Sequence, residues 1–243
     1  MKPFQLYMSK WGTYEVEIHG VQVNVIVTNN EAVVDIEIAE LRSSMKIPIV
    51  GLDVMFRNDL NNNFDSGCVV LCVDNCCSII LAHQMSSLPS SLRDFLEDEA
   101  ISFVCKETTV PSYIRELYGI DLDSKYTLLK SFIRRVTEAG YMVARVLKNP
   151  RLRSYHLPEL AVQVRLSISC TDLLPDKKEG SMFTEEQIKC AINQPFTCYI
   201  IADKLLSLLD SFSSPASSSC NWVSNFAITQ FSIMCSCGSR FVI

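Results

Sequence analysis

One stretch narrows the fold of this chain more than any other: Ile49-Val50-Gly51-Leu52-Asp53-Val54-Met55-Phe56-Arg57. It is apolar enough to lie in the middle of a sheet, and the turn-prone run Asn58-Asp59-Leu60-Asn61-Asn62-Asn63 follows it. Its one carboxylate, Asp53, sits near the far end. Burying a carboxylate is costly, so such a residue is usually kept for a hydrogen bond, a metal or a reaction. The plainest role is a strand-end Asp that caps the turn behind it.

The flanking sequence supplies a sheet for this strand to join. Residues 14–27 alternate, with Tyr14, Val16 and Ile18 on one side of His19-Gly20 and Val21, Val23, Val25 and Val27 on the other, which predicts a hairpin. Asn29-Asn30-Glu31 starts a helix that runs to about Ser43, with Val33, Val34, Ile38 and Leu41 as its apolar face. Residues 68–73 and 76–82 are two further apolar strands about the turn Asp74-Asn75, giving an antiparallel meander with the Asp53 strand. A short helix follows Leu88-Pro89-Ser90-Ser91 to Asp98. Residues 101–105 then make a strand parallel to a neighbour, and a helix spans about 111–118, with Pro111 in its first turn and Gly119 at its end.

This order is that of an α/β domain with a mixed central sheet flanked by helices. At 243 residues and 48% hydrophobic content the chain can bury a substantial core. A net charge of −5 excludes a globally basic nucleic-acid binder but not a basic face. No apolar run of about 18 residues occurs, so no membrane span is expected. The opening Met1-Lys2-Pro3-Phe4 has no apolar signal region, which leads us to expect a nuclear or cytoplasmic protein. Of the 11 cysteines, Cys68, Cys72, Cys76 and Cys77 fall in apolar strand runs without a partner at zinc-site spacing. They are expected to be reduced core side chains.

The phrase Val50-Gly51-Leu52-Asp53 with Phe56-Arg57 resembles the first motif of the DnaQ-like (DEDD) 3′–5′ exonucleases, most closely the plant proteins similar to the Werner syndrome exonuclease. Further along, Phe95-Leu96, Phe103-Val104, the segment 147–152, Leu157-Pro158-Glu159-Leu160-Ala161 and Thr184-Glu185-Glu186-Gln187-Ile188-Lys189-Cys190-Ala191 resemble successive steps of that family. The resemblance covers about residues 12–210, after an N-terminal segment 1–11. It implies a ribonuclease H-like fold, with an antiparallel meander followed by parallel strands. Residues 211–243 begin as a Ser-rich linker, and this tail has no recognised counterpart in the family.

The family hydrolyses a terminal phosphodiester with two divalent metals, Mg²⁺ or Mn²⁺, held by four carboxylates. Hard cations of this kind need oxygen ligands. The resemblance assigns the first ligand to Asp53. It puts Met55 at the second position, Val110 or Pro111 near the third, and Gln194 at the fourth, with Cys190 where the family has a Tyr. Glu107, about a helical turn early, is the candidate substitute for the third. Pro195 is expected to kink the last helix. With one assured ligand, the expectation is a nuclease fold with impaired or lost hydrolysis.

Charge offers what chemistry does not. Residues 125–153 carry eight basic side chains, Lys125, Lys130, Arg134, Arg135, Arg145, Lys148, Arg151 and Arg153, against Glu138, a local net of +7 that leaves −12 for the rest. Such a stripe suits a phosphate backbone, and Tyr126, Phe132, Tyr141 and Tyr155 interleave with it, though solvated helix faces and core aromatics account for the same pattern. Three readings follow: a pseudo-nuclease that binds single-stranded nucleic acid or 3′ ends; a working exonuclease with an altered Mg²⁺ or Mn²⁺ site; and a scaffold whose partner is a protein, either a second copy or an active paralogue.

Overall fold

The computed structural model describes residues 12–58, 64–107, 109–120, 136–168 and 184–213. The chain divides into two compact units, Met1–Asp203 and Lys204–Ile243. The first holds a seven-stranded sheet of order β1-β2-β5-β4-β3-β6-β7. Of the second, the structure describes the last turns of a helix that ends at Ser213.

Strands β1 (Gly12–Ile18) and β2 (Val21–Thr28) form the expected antiparallel hairpin. Its turn residues His19 and Gly20 both have positive φ, 55° and 78°, the conformation a two-residue hairpin turn requires. Helix α1 (Glu31–Ser44) is capped by Asn30, whose side chain accepts hydrogen bonds from the Ala32 and Val33 amides. Strands β3 (Ile49–Asn58), β4 (Phe64–Val73) and β5 (Cys76–Ile80) are the meander, antiparallel throughout. The hairpin does not stand apart from it, because β2 pairs with β5 in parallel. That junction was not legible in the sequence, since its two strands are separated by α1, β3 and β4.

Helix α2 (Ser90–Glu97) leads to β6 (Ser102–Cys105), which pairs in parallel with β3. Helix α3 (Val110–Tyr118) ends at Gly119, whose φ of 67° supplies the left-handed cap. Strand β7 (Val136–Glu138), parallel to β6, runs directly into α4 (Ala139–Val146). A 3-10 turn (Pro150–Ser154) and α5 (Leu157–Gln163) follow. Helix α6 (Glu185–Ser213) opens with a reciprocal cap. The Gln187 amide donates to Thr184 Oγ1 at 3.2 Å, and the Thr184 amide to Gln187 Oε1 at 2.9 Å. It continues unbroken through Pro195, where the sequence had suggested a kink.

Two cores lie on opposite faces of the sheet. On one, Val50, Leu52 and Val54 of β3 pack with Val34, Ile38 and Leu41 of α1 and Leu92, Phe95 and Leu96 of α2. On the other, Cys68, Val70 and Cys72 of β4 and the inner face of the hairpin pack with Ile188, Ala191, Ile192 and Phe196 of α6. Because strand side chains alternate, β3 presents Gly51, Asp53 and Met55 to the second face. The one carboxylate of the strand therefore lies on the α6 side.

Candidate functional site around Asp53

Asp53 occupies a partly buried position on β3, and its Oδ1 accepts a hydrogen bond from the Val54 amide at 2.8 Å. Burial dominates its electrostatics and pushes its pKa up from 3.8 to about 6. The Val54 amide opposes that rise, the charge of Glu107 adds to it, and Lys106 draws it back. The sheet register explains the neighbours. Gly51 pairs with Val104, so Asp53 and Lys106 stand two residues beyond the same rung of the β3–β6 ladder. Glu107 is the next residue, exposed, with Thr109 Oγ1 donating to its Oε2 at 3.4 Å.

The other expected ligand positions are placed as follows. Met55 shares the Asp53 face and packs its thioether against the α6-side core. Val110 and Pro111 are buried, and Val110 packs in the core on the other face of the sheet, so neither offers an oxygen to Asp53. Cys190 and Gln194 lie one helical turn apart on α6, both half-buried, and burial raises the Cys190 thiol pKa. Among the described residues, no three His, Cys, Asp or Glu side chains gather closely enough to hold a metal ion. With the Met55 thioether at the second position and the Gln194 amide at the fourth, one assured carboxylate does not fit the two-cation centre that the resemblance implies.

Three buried thiols lie within electrostatic reach of Asp53. Cys68, Cys72 and Cys198 all feel its charge, and burial raises all three thiols, Cys68 to about 12. Cys105, at the end of β6, donates from Sγ to the Glu107 carbonyl at 3.1 Å. All four are buried thiols, covered in the closed fold. The sequence indicated the burial of Cys68 and Cys72, but not that of Cys105 and Cys198.

A second feature was not foreseen. At the carboxyl ends of β6 and β7, a cleft of about 210 Å³ is lined by Lys106, Glu138, Arg153, Tyr155 and His156, with Gly140 and Leu160 among the residues that complete its wall. In open α/β sheets, ligands favour the crevice outside the strand carboxyl ends. Lys106 borders this cleft and also acts on Asp53. The His156 side chain caps α5, and its amide donates to Glu159 Oε2 at 2.9 Å.

Of the basic stripe, Arg145, Lys148, Arg151 and Arg153 are described and lie on α4 and the turn after it; Lys125, Lys130, Arg134 and Arg135 fall outside the described residues, as do Tyr126 and Phe132. Tyr141 organises part of the described set. The Arg153 guanidinium lies 5.5 Å from its ring centroid, and Arg145 Nη1 donates to its hydroxyl at 3.4 Å. Among the described residues, no helix is long and apolar enough to cross a membrane.

No family model matches the chain, and no curated protein matches it. Solved structures do. The EXD2 exonuclease domain aligns over 80% of this chain and 99% of its own, at 19% identity and a TM-score of 0.44. The same domain soaked in Mn and GMP aligns over 82% and 98%, at 18% identity and a TM-score of 0.41. Escherichia coli RNase D, an exoribonuclease involved in structured RNA processing, aligns over 84% of this chain and 49% of its own, at 11% identity and a TM-score of 0.52. The chain thus has a ribonuclease H-like fold, a mixed seven-stranded sheet flanked by helices, in common with Escherichia coli RNase D.

Proposed function

We propose that this protein is a degenerate relative of the DEDD 3′–5′ exonucleases, closest to the plant Werner syndrome-like branch, that binds nucleic acid with phosphodiester hydrolysis impaired or lost. One observation carries the reading: on the Asp53 face of β3 the neighbour two residues on is the Met55 thioether, packed with the α6-side core, where the resemblance calls for a carboxylate. Loss of one ligand to a hard cation removes both a bond and a compensating charge. The binding half rests on the basic residues of α4 and the following turn, of which Arg145 and Arg153 are held about Tyr141 and Arg153 also lines the cleft. Single strands or 3′ ends, in the nucleus or the cytoplasm, are the partners this reading assigns.

The test is a Mg²⁺ and Mn²⁺ titration with an end-labelled oligonucleotide, comparing the wild type with Met55→Glu plus Gln194→Asp. Salt-sensitive binding without shortening by the wild type, and shortening by the double variant, is the expected outcome. Metal-dependent shortening by the wild type that Asp53→Ala abolishes would replace this reading with an active exonuclease. One observation favours that alternative: the Glu107 charge reaches Asp53, so a second carboxylate stands within electrostatic range. If no nucleic acid binds at low salt, a scaffold that associates with another copy or a paralogue is what remains.

A further inference from the structure

Cys72 and Cys77 are directly paired across the β4–β5 ladder, and after burial the Cys77 side chain is the next influence that raises the Cys72 thiol pKa. Both are free and at most 1% exposed. The turn between the strands is two residues long, Asp74-Asn75, with Asp74 at a φ of 52°. In a hairpin of this kind the closing pair, here Val73 and Cys76, exchanges the main-chain hydrogen bonds, and the next pair does not. The neighbouring strand agrees. The Asn24 amide donates to the Asn75 carbonyl at 2.8 Å, and Asn24 pairs in parallel with Cys76, so the peptide groups of Asn75 and Cys77 turn toward β2 and away from β4.

Non-hydrogen-bonded pairs bring opposed Cα atoms to about 4.5 Å, at the short end of the disulfide range of roughly 4.4–6.8 Å. We infer that Cys72 and Cys77 are a redox pair, dithiol in the reduced protein and a cross-strand disulfide under oxidising conditions. The ring it would close is short and its hairpin is already ordered, so the bond removes little freedom from the unfolded chain. A bond so placed is readily reduced, which makes it a reversible mark rather than a structural staple.

The oxidant is a small disulfide such as glutathione disulfide. One cysteine thiolate attacks it, forming a mixed disulfide and releasing one glutathione thiolate. The second cysteine thiolate then attacks the protein-side sulfur, closing Cys72–Cys77 and releasing the other. Two protein thiols give up two protons and two electrons, and one glutathione disulfide becomes two glutathione thiols. Burial raises the Cys72 thiol pKa and covers both sulfurs in the closed fold, so exchange proceeds through transient opening of the hairpin. Cys72 packs with Ile188, Ala191, Ile192 and Phe196 of α6, so oxidation alters the packing between sheet and helix on the Asp53 face.

The whole chain is equilibrated in glutathione buffers of increasing disulfide content, with and without urea below its unfolding midpoint, then denatured and alkylated. An Asp-specific protease cleaves before Asp74 and separates the two cysteines, so a peptide pair joined across that cut reports the bond by mass. The expected result is a linked pair that forms in disulfide-rich buffer, faster with urea, and disappears on return to reduced glutathione. It should be absent from Cys72→Ala and from Cys77→Ala and present in Cys68→Ala and Cys76→Ala. Full alkylation of Cys72 and Cys77 in every buffer, or a link that survives Cys77→Ala, overturns the inference. The wild-type measurement decides this even if a variant fails to fold.

Discussion

The carbonyl oxygen of Pro195 lies against Gly51, so close that a Cβ built on that glycine would fall 2.1 Å from it and 3.1 Å from the Tyr199 Cβ. The obstacle is main chain in the middle of a long helix, which has no rotamer by which to withdraw. Gly51→Ala is therefore expected to destabilise the fold by about 3 kcal/mol, the upper part of the usual overpacking range. A urea midpoint that falls clearly, with an unchanged slope, is the outcome to look for. A midpoint within error of the wild type would mean that α6 does not approach β3 in this way.

Asp53 couples stability to pH. Its pKa rises from 3.8 to about 6, so between those values the folded chain holds a proton that the unfolded chain has released. Stability contributed by the neutral carboxyl is fully present below about pH 4 and is lost as pH rises through about 6. Asp53→Asn keeps the neutral shape at every pH. Discounted for the residual exposure of the side chain, the variant should gain about 2 kcal/mol over the wild type at pH 8 and nothing at pH 4. Equal differences at the two pH values would contradict this account.

On the opposite face, Glu37 is only 7% exposed, and Ser78 Oγ, fully buried on β5, donates to its carboxylate at 3.2 Å. Burial raises the Glu37 pKa above its ordinary value, Glu40 adds to that, and the Ser78 bond lowers it. Ser78→Ala leaves the buried carboxylate without this donor. Because the Ser78 bond favours the ionised carboxylate, the cost should be larger at pH 8, about 1–2 kcal/mol, than at pH 4.5, as thermal unfolding at the two pH values would register.

If the basic residues of α4 and the following turn hold a phosphate backbone, Arg151→Ala and Arg153→Ala should weaken binding of every oligonucleotide sequence to a similar degree. Each should also reduce the slope of log affinity against log salt by up to about one. Fluorescence anisotropy at several salt concentrations measures both. An unchanged slope in the double variant would remove this surface from the proposal.

Much of the fold is written locally. The alternation of Val21, Val23, Val25 and Val27, the Asp74-Asn75 turn, the Asn30 cap and Gly119 at the end of α3 each fix a short element through its own chemistry. The parallel pairing of β2 with β5 was not legible, because pairing across so many intervening residues leaves no local pattern. At the site, the face on which Asp53 lies followed from alternation along β3. That Lys106 and Glu107 reach it depends on the β3–β6 register, which no single residue encodes. The four residues of α4 and its turn could be named as basic from sequence, but the approach of Arg145 and Arg153 to Tyr141 needed the fold.

The parallel seam between β2 and β5 has one more consequence. Strand β5 carries Cys77, Ser78, Ile79 and Ile80, all buried, and it is flanked by β4 on one side and β2 on the other. Remove the N-terminal hairpin and that apolar strand becomes the rim of the sheet, with a row of open amides and carbonyls ready to template a foreign strand. The hairpin therefore acts as a guard against aggregation, and its outward Thr13, Glu15 and Glu17 on β1 give the true rim a polar, charged border in its place.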